Sequence, residues 1–271
     1  MDCNRIGGRV NDNSAQHFQG KFAIVTGASK GIGLGVARHL ASAGAALAIC
    51  SRTADELEQA ARELRSLGAR VFHQPCDVAD KAAMRAFVDA THEEFGAIDI
   101  LINNAAYMMR PEPLDGFDDA VYENCIAVSL NSVFYMMKYT YPYMKQRGGK
   151  IVNFASLAGL RGGKNLAGYA AAKMGVVGLT RVAAAEWAKH RINVNCVAPI
   201  AMSDVWQQVM NHHPKDADPF EAIALRRNAL GYPGDTERDI APAVAFLCSE
   251  AAAFITGHVL PVDGGLLELE T

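Results

Sequence analysis

The sequence has little cysteine and no closely spaced cysteine pair. Its six cysteines are scattered along 271 residues, at Cys3, Cys50, Cys76, Cys125, Cys196 and Cys248. Neither a disulfide framework nor a zinc site with C-x-x-C spacing is indicated. We therefore expect reduced, mostly buried thiols, which fit a cytoplasmic protein.

Long apolar runs and an excess of basic residues are also missing. No apolar run approaches the roughly 20 residues that a membrane-spanning helix needs. The formal net charge is -3, whereas a nucleic-acid-binding protein needs a basic surface to neutralise phosphates. Residues 1–20 are polar and lack the apolar core of a signal peptide. The sequence thus predicts no membrane and no nucleic-acid partner, with a flexible extension over 1–20 and a single domain over 21–271.

What the sequence does contain is a regular alternation of short valine- and isoleucine-rich runs with stretches of helical periodicity. This alternation is typical of βαβ units, which build a parallel sheet covered by helices on both faces. Strands are predicted at 22–26, 46–51, 71–74, 98–102, 150–154, 192–197 and 259–262, and helices at 34–43, 54–67, 81–95, 131–146 and 169–189. Gly44 and Gly68 stand where helix C-caps are expected. The predicted fold is an α/β, single-domain, Rossmann-like doubly wound sheet of about seven strands.

The segment 202–234 breaks this alternation. It contains His212, His213, three prolines and several charges, and it has no strand character. Loops of this length in compact domains are usually functional lids, so we interpret the segment as a substrate flap. The side chains of adjacent histidines point in different directions, and no metal site is predicted.

A glycine-rich turn follows the first predicted strand, with the sequence Thr26-Gly27-Ala28-Ser29-Lys30-Gly31-Ile32-Gly33. Its glycines allow the backbone to turn tightly and to approach a pyrophosphate, while the helix behind presents free N–H groups to the negative charge. The turn has neither the G-x-G-x-x-G spacing of the common dinucleotide fingerprint nor the Gly-Lys-Ser/Thr ending of a triphosphatase loop. Its position between a strand and a helix predicts a dinucleotide site.

Three polar residues are candidates for catalysis. Tyr169 and Lys173 are four residues apart on a predicted helix, so both side chains lie on one face. An ammonium group beside a phenol favours the phenolate, which lets the phenol exchange a proton nearer neutral pH. Such a pair alone is more often a solvated surface pair, but Ser156 ends a predicted strand, where open α/β sheets place their binding crevice.

Together these motifs resemble the short-chain dehydrogenase/reductase family, from about Lys21 to about Gly265. Further motifs follow in the family's order: Asp77-Val78, Asn103-Asn104-Ala105-Ala106, Asn195-x-x-x-Pro199 and Val262-Asp263-Gly264-Gly265. The resemblance implies an oxidoreductase that moves a hydride between a nicotinamide cofactor and a carbonyl or secondary alcohol.

The resemblance also implies a role for each matched residue. Ser156 would hydrogen-bond the substrate oxygen, Tyr169 would give or take the proton, and Lys173 would also bind the nicotinamide ribose. Contacts with the cofactor are implied for Gly27, Ser29, Lys30, Gly31, Ile32, Gly33, Arg52, Asp77, Val78, Asn104, Ala105, Tyr169, Lys173, Pro199 and Met202.

The sequence departs from the family pattern at three positions. Ser129 stands where the family usually has a fourth catalytic residue, an asparagine at the start of a helix, and Ile200 and Ala106 replace usual glycines. Either the backbone carbonyl of Ser129 or its hydroxyl would then serve the proton path, and a branched Ile200 would narrow the pocket. These departures leave open a cofactor-binding regulatory protein on the same fold, although intact Ser156, Tyr169 and Lys173 favour an enzyme.

The end of the second strand indicates the cofactor. Enzymes that use NAD tend to place a carboxylate there for the ribose diol, and this chain has Ser51-Arg52 instead. A guanidinium suits the 2'-phosphate, and Lys30 adds a second positive charge. The sequence predicts NADP(H) rather than NAD(H).

The residues expected near the substrate are bulky and apolar. Tyr107 and Met108 follow the fourth strand, and Met202 and Trp206 occupy the flap. With Ser156, residues Tyr107, Met108 and Trp206 form the predicted substrate pocket, which favours a hydrophobic, possibly cyclic small molecule. A 3-oxoacyl-carrier-protein reductase is the main alternative, and Arg226 and Arg227 in the flap keep it open.

Two predicted helices indicate self-association. The helices at 131–146 and 169–189 carry more apolar and small residues than one sheet face requires, among them Phe134, Met137, Val176, Val177 and Ala184. The resemblance implies that these helices pair across a two-fold axis, giving a homodimer or homotetramer.

Overall fold

The computed structural model describes residues 17–201, 228–232 and 234–267. Seven parallel strands form one sheet in the order β3-β2-β1-β4-β5-β6-β7. The strands are β1 (Phe22–Thr26), β2 (Ala46–Ser51), β3 (Val71–Pro75), β4 (Ile100–Asn103), β5 (Gly149–Phe154), β6 (Ile192–Pro199) and β7 (Val259–Val262). The predicted fold class is confirmed.

The helices cover both faces of this sheet. They are α1 (Gly31–Ser42), α2 (Ala54–Ser66), α3 (Lys81–Phe95), α4 (Asp119–Ile126), α5 (Ser132–Met144), α6 (Leu157–Arg161), α7 (Ala167–Trp187) and α8 (Ala241–Cys248). Helices α1, α2 and α8 contribute to the hydrophobic core on one face, and α3, α5 and α7 to the core on the other. Within the described residues, no helix is both long and apolar enough to span a bilayer.

Local sequence explains where several helices begin and end. The Asp80 carboxylate accepts hydrogen bonds from the first-turn N–H groups of α3, and Gly96 ends that helix in the left-handed conformation, with φ of 78°. Gly44 and Gly68 also have positive φ, of 93° and 89°, directly after the C-caps of α1 and α2. Their expected positions at helix ends are confirmed.

Several element boundaries differ from the sequence-based expectation by one to three residues, and two differences at the edges of the domain have a clear physical reason. β4 begins at Ile100 rather than at residue 98, because Asp99 uses its carboxylate and its backbone N–H to bind the backbone of Phe22. Residues 17–20, assigned to the flexible extension, are packed against the domain. Phe18 is buried in the core beside α1, and its N–H donates to the Ala43 carbonyl at 2.9 Å.

The apolar residues expected at a subunit interface lie mostly inside the chain. Met137, Val176, Val177 and Ala184 are buried in the core between the sheet and helices α5 and α7. Only Phe134 of that group is exposed. Four of the five residues therefore serve the fold of the monomer, because the sheet behind them is apolar on that face as well.

The order of strands fixes the place of the site. The chain runs outward from β1 through β2 to β3, and then returns to start β4 on the other side of β1. In open α/β sheets, the binding crevice lies beyond the carboxyl ends of the strands at the point where the strand order reverses, which here is at β1 and β4.

Candidate active site

The glycine-rich turn lies at this crevice and is built for close backbone approach. Gly27 and Gly31 have positive φ, of 65° and 59°, a conformation that favours glycine. A Cβ on Gly27 would lie 3.0 Å from the Cα of Ala105, and a Cβ on Gly33 would collide with the Asn104 side chain and the Gly27 carbonyl. Only glycine fits at these two positions, and the turn is correspondingly compact.

The start of α1 is available to an anion. Lys30, at the N-cap, makes no side-chain capping hydrogen bond, and the first turn of α1 contains no acidic residue. The first N–H groups of a helix lack partners within the helix, and the helix dipole favours negative charge there. The turn from Gly27 to Gly33 therefore fits the pyrophosphate of a dinucleotide.

Asn104 braces the turn from the neighbouring strand. Its side-chain Nδ2 donates to the carbonyls of Thr26 and Gly27, at 3.0 and 3.1 Å. The backbone N–H groups of Asn104 and Ala105 both donate to the Thr26 hydroxyl at 3.1 Å. The loops after β1 and β4 are thus locked together, which explains the need for Thr26 and Asn104 at these points.

The two cations predicted to bind the 2'-phosphate differ in their contacts. Arg52 is exposed and makes no hydrogen bond or ion pair with any residue that the structure describes. Lys30 donates to Glu56 of α2 at 3.2 Å, and Ser29 donates to the same carboxylate at 3.4 Å. Glu56 was not among the residues singled out from the sequence, although an acidic residue in the first turn of α2 could have drawn attention to it.

Asp77 and Val78 follow β3 at the same edge of the sheet. Asp77 is exposed and accepts a hydrogen bond from the Ala79 N–H at 2.9 Å, which shapes the turn. Val78 is buried in the core. The pair lies next to the Ser51-Arg52 end of β2, because the Cys76 N–H pairs with the Ser51 carbonyl.

Ser156 follows β5 and caps the short helix α6. Its hydroxyl oxygen accepts from the Ala158 N–H at 3.1 Å. No described residue accepts the hydroxyl hydrogen, so that hydrogen is available to a substrate oxygen. The capping bond fixes the side chain at the carboxyl end of β5.

Lys173 reaches back to the same end of β5. Its ammonium nitrogen donates to the Phe154 carbonyl at 2.7 Å and lies 5.6 Å from the centre of the Tyr169 ring. The side chain is buried, and burial lowers the pKa of Lys173 from 10.5 to about 8. The structure therefore brings Lys173 together with Tyr169 and with the strand end that leads into Ser156.

Glycines let the helices around this centre approach one another closely. A Cβ on Gly159 of α6 would lie 3.3 Å from the Cβ of Lys173, and a Cβ on Gly175 of α7 would lie 2.8 Å from the Leu130 side chain. The first contact joins the Ser156 helix to α7, and the second joins the segment around Ser129 to α7.

Ser129 lies in a π-helical turn, Ala127–Asn131, between α4 and α5. This position differs from the expected start of a helix. Its side chain is buried, and its hydroxyl oxygen accepts from the Tyr107 backbone N–H at 2.9 Å. The hydroxyl thus ties the loop after β4 to the π-helical turn, while Asn131 is exposed and cannot take over this contact.

The predicted substrate-pocket residues are only partly described. Tyr107 is half-buried, and Met108 is 41% exposed. Met202, Trp206, Arg226 and Arg227 lie outside the described residues, as does most of the predicted flap. The described end of the flap is anchored by Asn228, whose side chain donates to the Tyr232 carbonyl at 2.8 Å and accepts from the Gly231 N–H at 3.0 Å.

Pro199 ends β6 and is half-buried beside the same edge. Ile200 is buried in the core below, and its N–H donates to the Val262 carbonyl at 2.9 Å. Ala106 is half-buried. The branched side chain at position 200 is therefore accommodated by core packing.

A buried polar row lies behind the site, and only its first member, Asn103, belongs to a motif named from the sequence. Asn103 donates to Asn153 at 2.8 Å, and Asn153 donates to Thr180 at 2.9 Å. The first two residues are in register on β4 and β5. Polar residues within two apolar strands were the available signal.

The part of the chain that the structure covers holds no group of His, Cys, Asp and Glu suited to a metal ion, and its five cysteines are free and buried.

Comparisons with known proteins bear on the family of this chain and on its fold. A family model described as enoyl-(acyl carrier protein) reductase matches residues 27–267. Levodione reductase from Leifsonia aquatica is 35% identical, over 92% of this chain and 94% of that protein. The 12alpha-hydroxysteroid dehydrogenase of a Clostridium species is 37% identical, and the cis-4-hydroxycyclohexanecarboxylate dehydrogenase of Sinomonas cyclohexanicum is 38% identical, each over 92% of this chain and 97% of the relative.

A solved structure is similar over nearly the same length. The crystal structure of levodione reductase has a TM-score of 0.87 and 33% identity, and the match covers 93% of this chain and 100% of that one. The relatives are named as dehydrogenases and reductases of alcohol or ketone groups. The chain belongs to the short-chain dehydrogenase/reductase family, whose members are oxidoreductases that bind a nicotinamide cofactor.

Proposed function

We propose that this protein is an NADP(H)-dependent oxidoreductase that interconverts a carbonyl and a secondary alcohol on a hydrophobic, cyclic small molecule. The observation that carries the reaction is the position of Lys173, beside Tyr169 and at the carboxyl end of β5, the strand that leads into Ser156. There, Lys173 is fixed 2.7 Å from the Phe154 carbonyl and faces the Tyr169 ring.

Each of these side chains has a distinct task. A bound nicotinamide cofactor supplies or accepts the hydride. The Ser156 hydroxyl donates its hydrogen to the substrate oxygen and holds it in place. Tyr169 gives its phenolic proton to that oxygen during reduction and takes it back during oxidation. The Lys173 ammonium stabilises the phenolate form of Tyr169 and binds the ribose next to the nicotinamide.

Arg52 supports the choice of NADP(H). Its guanidinium stands after β2, is exposed, and is not engaged by any described residue. A guanidinium forms charge-assisted, often bidentate hydrogen bonds with a phosphate, which a ribose hydroxyl cannot reproduce. Arg52 can therefore bind the 2'-phosphate of NADPH, and NADH has no group that can make the same contact.

The substrate class is supported by Tyr107 and Met108, which present apolar surface beside the crevice. The names of relatives point the same way, because a hydroxysteroid and a hydroxycyclohexanecarboxylate are ring compounds that carry an alcohol. A 3-oxoacyl-carrier-protein reductase remains the alternative to be tested.

We also propose that the protein acts as a homodimer or homotetramer. An exposed stripe runs along α7 at three- and four-residue spacing, through Ala171, Met174, Gly178, Val182 and Ala185. Exposed Phe134 lies on α5. A matching stripe from a second copy would cover these small and apolar residues across a two-fold axis.

The cofactor assignment is tested by titrating NADPH and NADH against the wild type and Arg52→Ala. We expect NADPH to bind about 10-fold more tightly than NADH, the low end for charge-assisted hydrogen bonds because Arg52 is exposed. Arg52→Ala should lose this advantage without affecting NADH, and the advantage should shrink with added salt. Arg62→Ala is the matched control, since Arg62 is an exposed arginine on α2 that pairs with Glu58. Equal or tighter NADH binding by the wild type contradicts the assignment.

The substrate assignment is tested by following the absorbance of NADPH with a panel of ketones. We expect cyclohexanone-type and steroid ketones to be reduced with higher kcat/KM than a 3-oxoacyl thioester of acyl carrier protein. A preference for the thioester would establish the alternative.

A further inference from the structure

Glu56 engages Lys30, one of the two cations that the proposed cofactor site offers. It belongs to the first turn of α2, four residues after Arg52. One of its carboxylate oxygens accepts from Lys30 at 3.2 Å and the other from Ser29 at 3.4 Å. Both donors belong to the glycine-rich turn. Glu56 thus links two polar groups of the turn to the first turn of α2.

This pairing has a structural role as well. The N-cap residue of α2, Thr53, makes no side-chain capping hydrogen bond. A carboxylate in the first turn is favoured by the helix dipole, so Glu56 also helps to start α2. The ion pair is weak, because the Lys30 and Glu56 side chains are 49% and 42% exposed. A more highly charged partner can displace it.

The surroundings of Glu56 are negative overall. A cavity of about 530 Å³ opens beside it and is lined by Lys30 and Arg38 as cations and by Glu56, Glu63, Asp235 and Glu237 as carboxylates. Arg38 is already held by Glu63 and by Glu237, the latter at 2.6 Å. The cavity is therefore lined by two cations and four carboxylates. Of the two cations, Lys30 belongs to the glycine-rich turn and Arg38 to α1.

From this geometry we infer that Glu56 is a specificity-determining residue that restrains binding of the 2'-phosphate by competing for Lys30 and Ser29. The inference rests on the proposed use of NADP(H). A dianionic phosphate near Arg52 recruits Lys30 only by separating it from Glu56, and it is repelled by the carboxylate left behind. NADH has no phosphate at this position and leaves the pair intact. Glu56 thereby reduces the difference in affinity between NADPH and NADH that Arg52 and Lys30 would otherwise produce.

The test compares Glu56→Gln with Glu58→Gln by measuring the Kd of NADPH and of NADH. Glu58 lies on the same helix, but it pairs with Arg62 and His73, away from the turn, so it controls for the loss of one negative charge. We expect Glu56→Gln to tighten NADPH binding about 2- to 5-fold, the range in which exposed ion pairs alter an equilibrium. NADH binding should change by less than about 1.5-fold by the same argument, and Glu58→Gln should change neither Kd.

A double-mutant cycle identifies the path of the effect. In a Lys30→Met background, Glu56→Gln should raise the affinity for NADPH by less. Only the part that comes from repulsion between the Glu56 carboxylate and the 2'-phosphate should be left. A full gain without Lys30 would show that Glu56 does not act by competing for that lysine. Thermal unfolding of each variant checks that α2 is retained.

Several results overturn the inference. These are unchanged or weaker NADPH binding in Glu56→Gln, an equal gain in Glu58→Gln, and a selective loss of NADH affinity, which would make Glu56 a ligand of the ribose. Failure of the proposed cofactor preference is distinguishable. A wild type that favours NADH refutes that preference, whereas the Glu56 inference depends on the change in NADPH affinity between the two glutamine variants.

Discussion

Replacing the buried lysine gives a stability prediction that can be worked from the structure. Lys173 is buried at the end of β5, and burial lowers its pKa from 10.5 to about 8. Between these two pH values the unfolded chain keeps a proton on this amine that the folded chain has released. Raising the pH through this window therefore stabilises the folded wild type. Below about pH 8 both states hold the proton, and the folded state carries the full desolvation penalty of the ammonium group.

The magnitude follows from the difference between the two values. At 1.36 kcal/mol for each pH unit, the whole window corresponds to about 3 kcal/mol. Between pH 7 and pH 10, the free energy of unfolding of the wild type should rise by about 2–3 kcal/mol relative to that of Lys173→Met. Burial raises the pKa of Cys196 to about 11 and of Cys248 to about 12. The charge of Lys173 lowers the pKa of Cys196, so this pKa lies higher still in Lys173→Met. Both folded thiols therefore stay largely protonated up to pH 10 in either protein, and their ionisation largely cancels in the difference.

The assay is urea unfolding of both proteins at pH 7, 8, 9 and 10, at one protein concentration because assembly alters apparent stability. Lys145→Met, which removes an exposed lysine at the end of α5, is the matched control for loss of one charge. A wild-type and a Lys173→Met curve that run parallel across this range would refute the argument. Lys173→Met should also lose turnover, since the phenolate of Tyr169 loses its ammonium neighbour.

The remaining predictions concern the proton donor, the departure at Ser129 and the assembly. Tyr169→Phe should lower turnover about 100- to 10,000-fold with little change in NADPH affinity; retention of more than half the activity would place the chemistry elsewhere. Ser129→Ala should lower the free energy of unfolding by about 1–3 kcal/mol, because the Tyr107 N–H loses its acceptor. It should also raise KM more than it lowers kcat, and an alanine variant with unaltered stability and KM argues against this positioning role. Light scattering at micromolar concentration should find a dimer or tetramer. Val182→Glu, on the exposed stripe of α7, should shift the equilibrium towards the monomer. A wild-type monomer would contradict the proposed assembly.

The sequence alone predicted most of the framework. The bounds of β1, β2, β7 and α3 agree with the prediction, because each is set by a local pattern of branched residues, a capping aspartate or a helix-ending glycine. The tight turn at the glycines and the placement of Tyr169 and Lys173 on one helix face are also determined by the local sequence. A helix places residues four apart on one face wherever it packs.

Contacts between segments that are distant along the chain could not be predicted from local sequence patterns. Phe18 packs against α1 although nothing in its neighbourhood marks it as core, and the backbone partner of Ser129 is 22 residues away. The π-helical turn that carries Ser129 packs against Gly175 on α7. Each depends on how loops and helices meet once the sheet has formed.

The sequence by itself determined the parallel sheet, the place of the glycine-rich turn and the choice of Ser156, Tyr169 and Lys173 as candidate residues, because periodicity and spacing are properties of the chain. Only the tertiary structure decided the electrostatic state of these groups. It buried Lys173 against the Phe154 carbonyl and lowered its pKa, left Arg52 exposed, and paired Lys30 with Glu56. The physical reason is that desolvation and ion pairing depend on distances between segments that folding alone brings together.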